Sequence, residues 1–184
     1  MGETAPPLHR LGGPAWAKTK KAATEDAIRF AKELLAIAKE RHASTRPPYE
    51  VNSNLEETIE KTFVYELTPD QLTSWEEVAR DLQRRQPMDR LIVGDVGFGK
   101  TEIATRAARH AVANGYQVAL LAPTTLLVQQ HTDSFRQRFP DIASHIGSLS
   151  RATLTRERAA TLRGISDGSL GIVIGTHAIL SSRV

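Results

Sequence analysis

The stretch that most restricts this chain is Gly94-Asp95-Val96-Gly97-Phe98-Gly99-Lys100-Thr101. It matches G-x-x-x-x-G-K-[ST] in full. It follows a short apolar run, Arg90-Leu91-Ile92-Val93, and precedes an amphipathic segment from Lys100 to Ala113. A strand, a glycine-rich turn and a helix in that order form a phosphate cradle, the P-loop. The glycines let the backbone curl so that its N–H groups point inward. The helix start adds its positive dipole end. In such a loop Lys100 reaches the β- and γ-phosphates, and Thr101 sets its hydroxyl on Mg²⁺.

The segments downstream continue the same grammar. Asn114-Gly115 stops the first helix. Val118 to Ala122 reads as a strand, Thr124 to Phe139 as a helix stopped by Pro140, His145 to Leu149 as a strand, Thr153 to Arg163 as a helix, and Leu170 to Ile174 as a fourth strand. Apolar strands alternating with helices predict an α/β fold, a parallel sheet with helices on both faces. Upstream, Pro14 to about His42 has helical periodicity, with Ile28, Ala31, Leu34, Leu35 and Ala38 on one stripe. That stripe suits core packing or a strut between domains. Ser44 to Asn54 reads as a linker, residues 55–63 as a short helix, and Thr68-Pro69 as the N-cap and first position of a helix running to Arg85.

Composition excludes several classes. With no cysteine there are no disulfides, thiol nucleophiles or cysteine zinc sites. No apolar run approaches the roughly 20 residues of a membrane span, and the start lacks a secretory h-region, which predicts a cytoplasmic protein. The net charge of +3 is mild. Six arginines (136, 138, 151, 156, 158 and 163) crowd one stretch, either as a solvated helix face or as a phosphate-binding surface.

Together these motifs resemble the motor of bacterial transcription-repair coupling factors and their RecG-like relatives. Asp89-Arg90-Leu91 with Gly94 to Glu102 resembles helicase motif I. Phe63 through Leu67-Thr68-Pro69-Asp70-Gln71 resembles the adenine-recognition motif, Pro123 to His131 motif Ia, and Ile174-Gly175-Thr176-His177 the downstream GTH element. RecG-like helicases usually carry a small residue where Phe98 stands, and they lack the segment matching Leu8 to Gly13 with Trp16 and Lys18. Both features favour the coupling factors. In the family a phenylalanine commonly follows the arginine matching Arg151, where this chain has Ala152.

The resemblance implies a RecA-like fold, with residues 1–48 a connecting helical segment and 49–184 the first helicase lobe. ATP and Mg²⁺ are the implied ligands, held by Gly94, Asp95, Val96, Gly97, Phe98, Gly99, Lys100, Thr101 and Glu102. Gln71 is implied to read adenine, where an ordinary first-turn role is the alternative, and Phe63 or Tyr65 to stack on the base. Thr124, Thr125, Gln129, Arg151, Gly175, Thr176 and His177 are implied to contact the backbone of double-stranded DNA. For Thr124 and Thr125, helix capping is the alternative, and both roles are compatible.

RNA polymerase and the excision-repair protein UvrA are partners implied for family domains outside this sequence. The sequence stops ahead of the acidic D-E-x-[HQ] element of the family and of its second lobe. Negligible hydrolysis and exposed sheet edges are expected of this stretch alone. Two further readings stay open: a RecG-like branch-migration helicase, and a non-enzymatic relic that keeps the fold without turnover.

Overall fold

A computed structural model describes residues 12–181. The Leu8–Leu11 part of the resemblance lies outside the described residues. The chain divides into two compact units, residues 1–45 and 46–184.

In the first unit the described residues form one long helix, α1 (Pro14–Ala43), with Pro14 in its first turn. The stripe foreseen in the sequence has no core within its own unit. Ile28, Leu34 and Leu35 are 51%, 50% and 69% exposed. A single helix offers no second element to bury them.

The second unit begins with α2 (Ser53–Lys61), capped by the Asn52 side chain accepting from the Asn54 amide. Next comes α3 (Pro69–Leu82). Thr68 caps it with its hydroxyl on the Gln71 amide, and the Gln71 side chain accepts in return from the Thr68 amide at 2.9 Å. This reciprocal box satisfies two N–H groups that an open helix start leaves unpaired. The helix ends three residues before Arg85.

Then follow α4 (Lys100–Ala113), β1 (Val118–Leu121), α5 (Thr125–Arg138), a 3-10 turn at Pro140–His145, β2 (Ile146–Leu149), α6 (Thr155–Ser166) and β3 (Ile172–Gly175). The three strands are parallel in the order β1-β3-β2, with helices around them. β3 is central and wholly buried. Ile172 and Ile174 meet Val128, Phe135, Phe139 and Ile142 in the main core. Each such side chain contributes about 1.5–3 kcal/mol on leaving water. A second cluster, Trp75, Val78, Leu82 and Ile103, joins α3 to α4.

One expected strand is absent. Arg90 to Val93 joins no ladder, so the described residues hold three strands where the sequence predicts four. Leu91 and Val93 are 85% and 83% exposed. An apolar run becomes a strand only where a neighbour takes its N–H and C=O groups. Here β1 has β3 on one side and no strand among the described residues on the other. Arg90 is nevertheless anchored, donating to Asp81 at 2.7 Å and pairing with Glu77. The hydrogen bond to Asp81 raises its pKa above the ordinary guanidinium value; desolvation opposes the rise, and the charges of Asp81 and Glu77 add to it.

Candidate nucleotide and nucleic-acid site

The loop before α4 has the backbone its glycines predict. Gly97 and Gly99 take φ of 84° and 68°, in the left-handed region. At Gly99 a side chain is excluded twice, because an added Cβ would also lie 2.5 Å from Gln71 Nε2. Gly99 is the N-cap of α4 and provides no side-chain cap, so the first-turn amides are open to an anion. Lys100 folds back over the turn, its ammonium donating to the carbonyls of Gly94 at 2.6 Å and Asp95 at 2.5 Å. Thr101 is exposed beside it, and Val96 and Phe98 project outward.

Gln71 stands against this loop. Its Nε2 donates to the Phe98 carbonyl at 2.8 Å while its Oε1 completes the α3 cap. The first-turn role weighed in the sequence is therefore present, and it ties α3 to the phosphate turn. A cavity of about 750 Å³ opens here, lined among others by Phe63, Gln71, Phe98, Thr101, Glu102 and Arg138. Pockets of roughly 300–1,000 Å³ suit small molecules and cofactors. Phe63 and Tyr65 both line it, edge to face at 5.8 Å between ring centroids.

Glu102 lines the same cavity with its side chain engaged by neighbours. Its carboxylate is buried and held by guanidinium groups, Arg106 Nε at 2.8 Å and Arg138 Nη2 at 2.7 Å, with a second contact from Arg138 Nη1. Two guanidinium groups leave the carboxylate committed inside the protein, so any ligand role falls to its backbone. Arg106 is 2% exposed and continues the network to Glu56. Glu56 also takes the Trp75 indole N–H at 3.0 Å and meets His110 Nε2. Sequence reasoning missed Glu56, Arg106 and His110, and saw Arg138 only as one of a basic stretch. A visible signal was the Glu102/Arg106 pair, four apart on the helix face that carries Ile103.

The segments implied to meet DNA start from the C-terminal end of the sheet. Leu121, Gly175 and Leu149 end their strands in register. The segments that follow, with Thr124, Thr176, His177 and Arg151, therefore leave the same end of the sheet. Thr124 caps α5 through its hydroxyl on the Leu127 amide at 3.2 Å, and Thr125 opens the helix. Gly175 is fixed by strand packing, since an added Cβ would lie 2.2 Å from the Leu149 carbonyl oxygen. Arg151 and His177 are exposed. Gln129 is exposed one turn into α5 and bonds Asp133 of the same helix at 3.0 Å.

Both ligands fit the residues present. The open amides, the lysine and the glycine turn suit a triphosphate. Among the described residues no group of three or more His, Cys, Asp or Glu side chains could hold a metal ion. A metal here would thus rest on Thr101 and on the phosphates themselves.

The model of the DEAD/DEAH box helicase family matches residues 68–184. The transcription-repair-coupling factor of Bacillus subtilis (strain 168) is 43% identical over 179 residues, covering 97% of this chain and 15% of that protein. The transcription-repair-coupling factor of Mycobacterium tuberculosis (strain CDC 1551 / Oshkosh) is 45% identical over 184 residues, covering 100% and 15%. The chain thus spans about 15% of the length of these relatives. The solved structure of RecG bound to a three-way DNA junction aligns with a TM-score of 0.71 and 33% identity, over 79% of this chain and 20% of that one. A hypothetical ATP-dependent RNA helicase from Sulfolobus tokodaii aligns at 0.53 and 16% identity, over 71% and 35%, a likeness of fold alone. By the helicase model across residues 68–184, this chain belongs to the DEAD/DEAH box helicase family, and along nearly its whole length it is similar to bacterial transcription-repair-coupling factors.

Proposed function

We propose that residues 49–184 act as the first RecA-like lobe of an ATP-dependent translocase on double-stranded DNA, with residues 1–48 a connecting helical segment. In an intact protein of this kind the lobe would serve to displace stalled RNA polymerase and to hand the site to excision repair through UvrA, in the cytoplasm. The observation that carries the reading is the turn from Gly94 to Thr101. It is wrapped by left-handed glycines onto the open start of α4, beside a cavity that Gln71 and Phe63 share.

ATP would lie with its phosphates on the amides of Gly97 to Thr101 and on the Lys100 ammonium. The Thr101 hydroxyl would be a ligand of Mg²⁺, and Asp95, Val96 and Phe98 would shape the rim. Bound Mg²⁺ neutralises charge on the phosphates and makes the terminal phosphoryl group a better electrophile. Gln71 has the acceptor and donors needed to pair with adenine and reject guanine. To do so it exchanges its present partners, Thr68 and Phe98, for the base. Lys100 likewise exchanges two loop carbonyls for phosphate oxygens.

On the other strand-end loops, Thr124, Thr125, Gln129, Arg151, Gly175, Thr176 and His177 would meet the DNA backbone. Hydroxyls, amides and a guanidinium read phosphates without reading bases, which suits a motor that must move along any sequence. A RecG-like branch-migration enzyme is the second reading, favoured by the RecG alignment. It is opposed by the higher identity to coupling factors, 43–45% against 33%.

The DNA part is tested by titrating labelled duplexes of unrelated sequence at several salt concentrations. Affinity should fall steeply with salt and be the same for each duplex. Arg151→Ala should weaken binding to all of them and lower the salt slope by about one. A marked preference for one sequence, or an unchanged slope, would refute the backbone-contact reading.

A further inference from the structure

We infer that Arg138, at the end of α5, is a positioning residue for the nucleotide base, holding Phe63 in place as its stacking platform. This rests on the ATP reading above and adds to it a residue that no motif marks.

Every nitrogen of the Arg138 guanidinium is engaged. Nη1 and Nη2 fork onto the two oxygens of Glu102, Nη2 also donates to the Ile59 carbonyl at 3.3 Å, and Nε donates to Thr62 Oγ1 at 3.1 Å. A planar fork on a carboxylate fixes orientation as well as position. So fixed, the guanidinium lies 4.6 Å from the centroid of the Phe63 ring and 5.8 Å from that of Phe139. Phe63 otherwise sits on a short irregular segment after α2, where its backbone amide bonds Glu60. Within that segment the ring meets Tyr65 edge to face, and the Arg138 guanidinium is the contact that comes from another element.

Arg138 and Phe63 both line the cavity that also holds Gln71 and Thr101. The cation would back one face of the ring and leave the other to a base, and it joins the platform to Glu102, the residue after Thr101. Through Glu102 the base end and the phosphate end of the pocket share one rigid anchor on α4. A π face backed by a cation and offered to a purine is a stable arrangement, because base stacking and cation–π attraction act on the same ring.

The test compares Mg²⁺-ATP with Mg²⁺-tripolyphosphate, which has the phosphates and no base, by calorimetry on the whole chain. Phe63→Ala, Arg138→Gln and Arg138→Lys are each expected to weaken ATP binding about tenfold. All three should leave tripolyphosphate within about twofold of the parent chain. Arg138→Lys keeps a positive charge beside Glu102 and forfeits the planar face, so it serves even if Arg138→Gln melts early. The double variant Phe63→Ala/Arg138→Gln should bind ATP no more weakly than Phe63→Ala alone, since both changes remove one platform. A merely structural arginine would weaken both ligands alike, and that result overturns the assignment. ATP binding by both Arg138 variants as tight as the parent's also overturns it, leaving the nucleotide reading intact. Failure of the unaltered chain to bind ATP would overturn both.

Discussion

Arg106→Ala should lower the melting temperature by more than any single change in the phosphate turn. Arg106 is 2% exposed and lies between the Glu102 and Glu56 carboxylates, at 2.8 and 3.3 Å. It also sits over the Trp75 ring at 6.0 Å. Truncation leaves two carboxylates short of a cation, Glu102 buried and Glu56 partly buried. Breaking a buried pair from one side costs about 3–5 kcal/mol. For a chain of this size that is a fall of about 6–20 °C. Arg106→Met should cost nearly as much although it fills the volume, because the deficit is charge. Adding Glu56→Gln should restore part of the loss, since Glu102 keeps the Arg138 guanidinium while Glu56 is the carboxylate left without one. Thermal unfolding followed by far-UV circular dichroism measures all three. A shift of under about 2 °C for Arg106→Ala would show that the network contributes little.

Lys100→Ala should have the opposite signature. The ammonium touches only the Gly94 and Asp95 carbonyls of an exposed turn, so stability should hold. Hydrogen bonds to charged groups contribute about 1.5–3 kcal/mol each, and two lost contacts to phosphates predict an affinity for ATP lower by about 100-fold or more. Tripolyphosphate should suffer equally, because the lysine meets phosphates and not the base. Equilibrium titration with a fluorescent ATP analogue, alongside a melting curve, separates the two effects. Binding within about threefold of the parent chain would remove Lys100 from the phosphate site.

The legible parts of this chain are those fixed by neighbours in sequence. Thr68-Pro69 marked the start of α3, Asn114-Gly115 the end of α4 and Pro140 the end of α5, because caps and breakers act within one turn. The glycine turn was legible for the same reason, since its octet specifies its own backbone. The strand at Arg90 to Val93 was not, because pairing is a property of the partner and not of the run. The buried network was also illegible. Arg138 meets Glu102 across 36 residues, and His110 meets Glu56 across 54. No local pattern encodes such distances. Two clues were present: a charged residue on the apolar face of α4, and a glutamate one turn above Ile59 on the short helix α2. A charge placed on a core-facing stripe calls for a partner brought by another element.

The same contrast explains the placement of Gln71. Its spacing from Thr68 encodes the capping box, while its contact with the Phe98 carbonyl belongs to tertiary structure. One side chain therefore serves helix start and phosphate turn together.

The most direct measurement is a calorimetric titration of Mg²⁺-ATP into the chain, with folding verified by a cooperative melt, repeated with Mg²⁺-GTP. A single saturable site with ATP bound more tightly than GTP is the predicted result. No heat from ATP, in protein shown to be folded, would contradict the claim that the turn from Gly94 to Thr101 grips a nucleoside triphosphate.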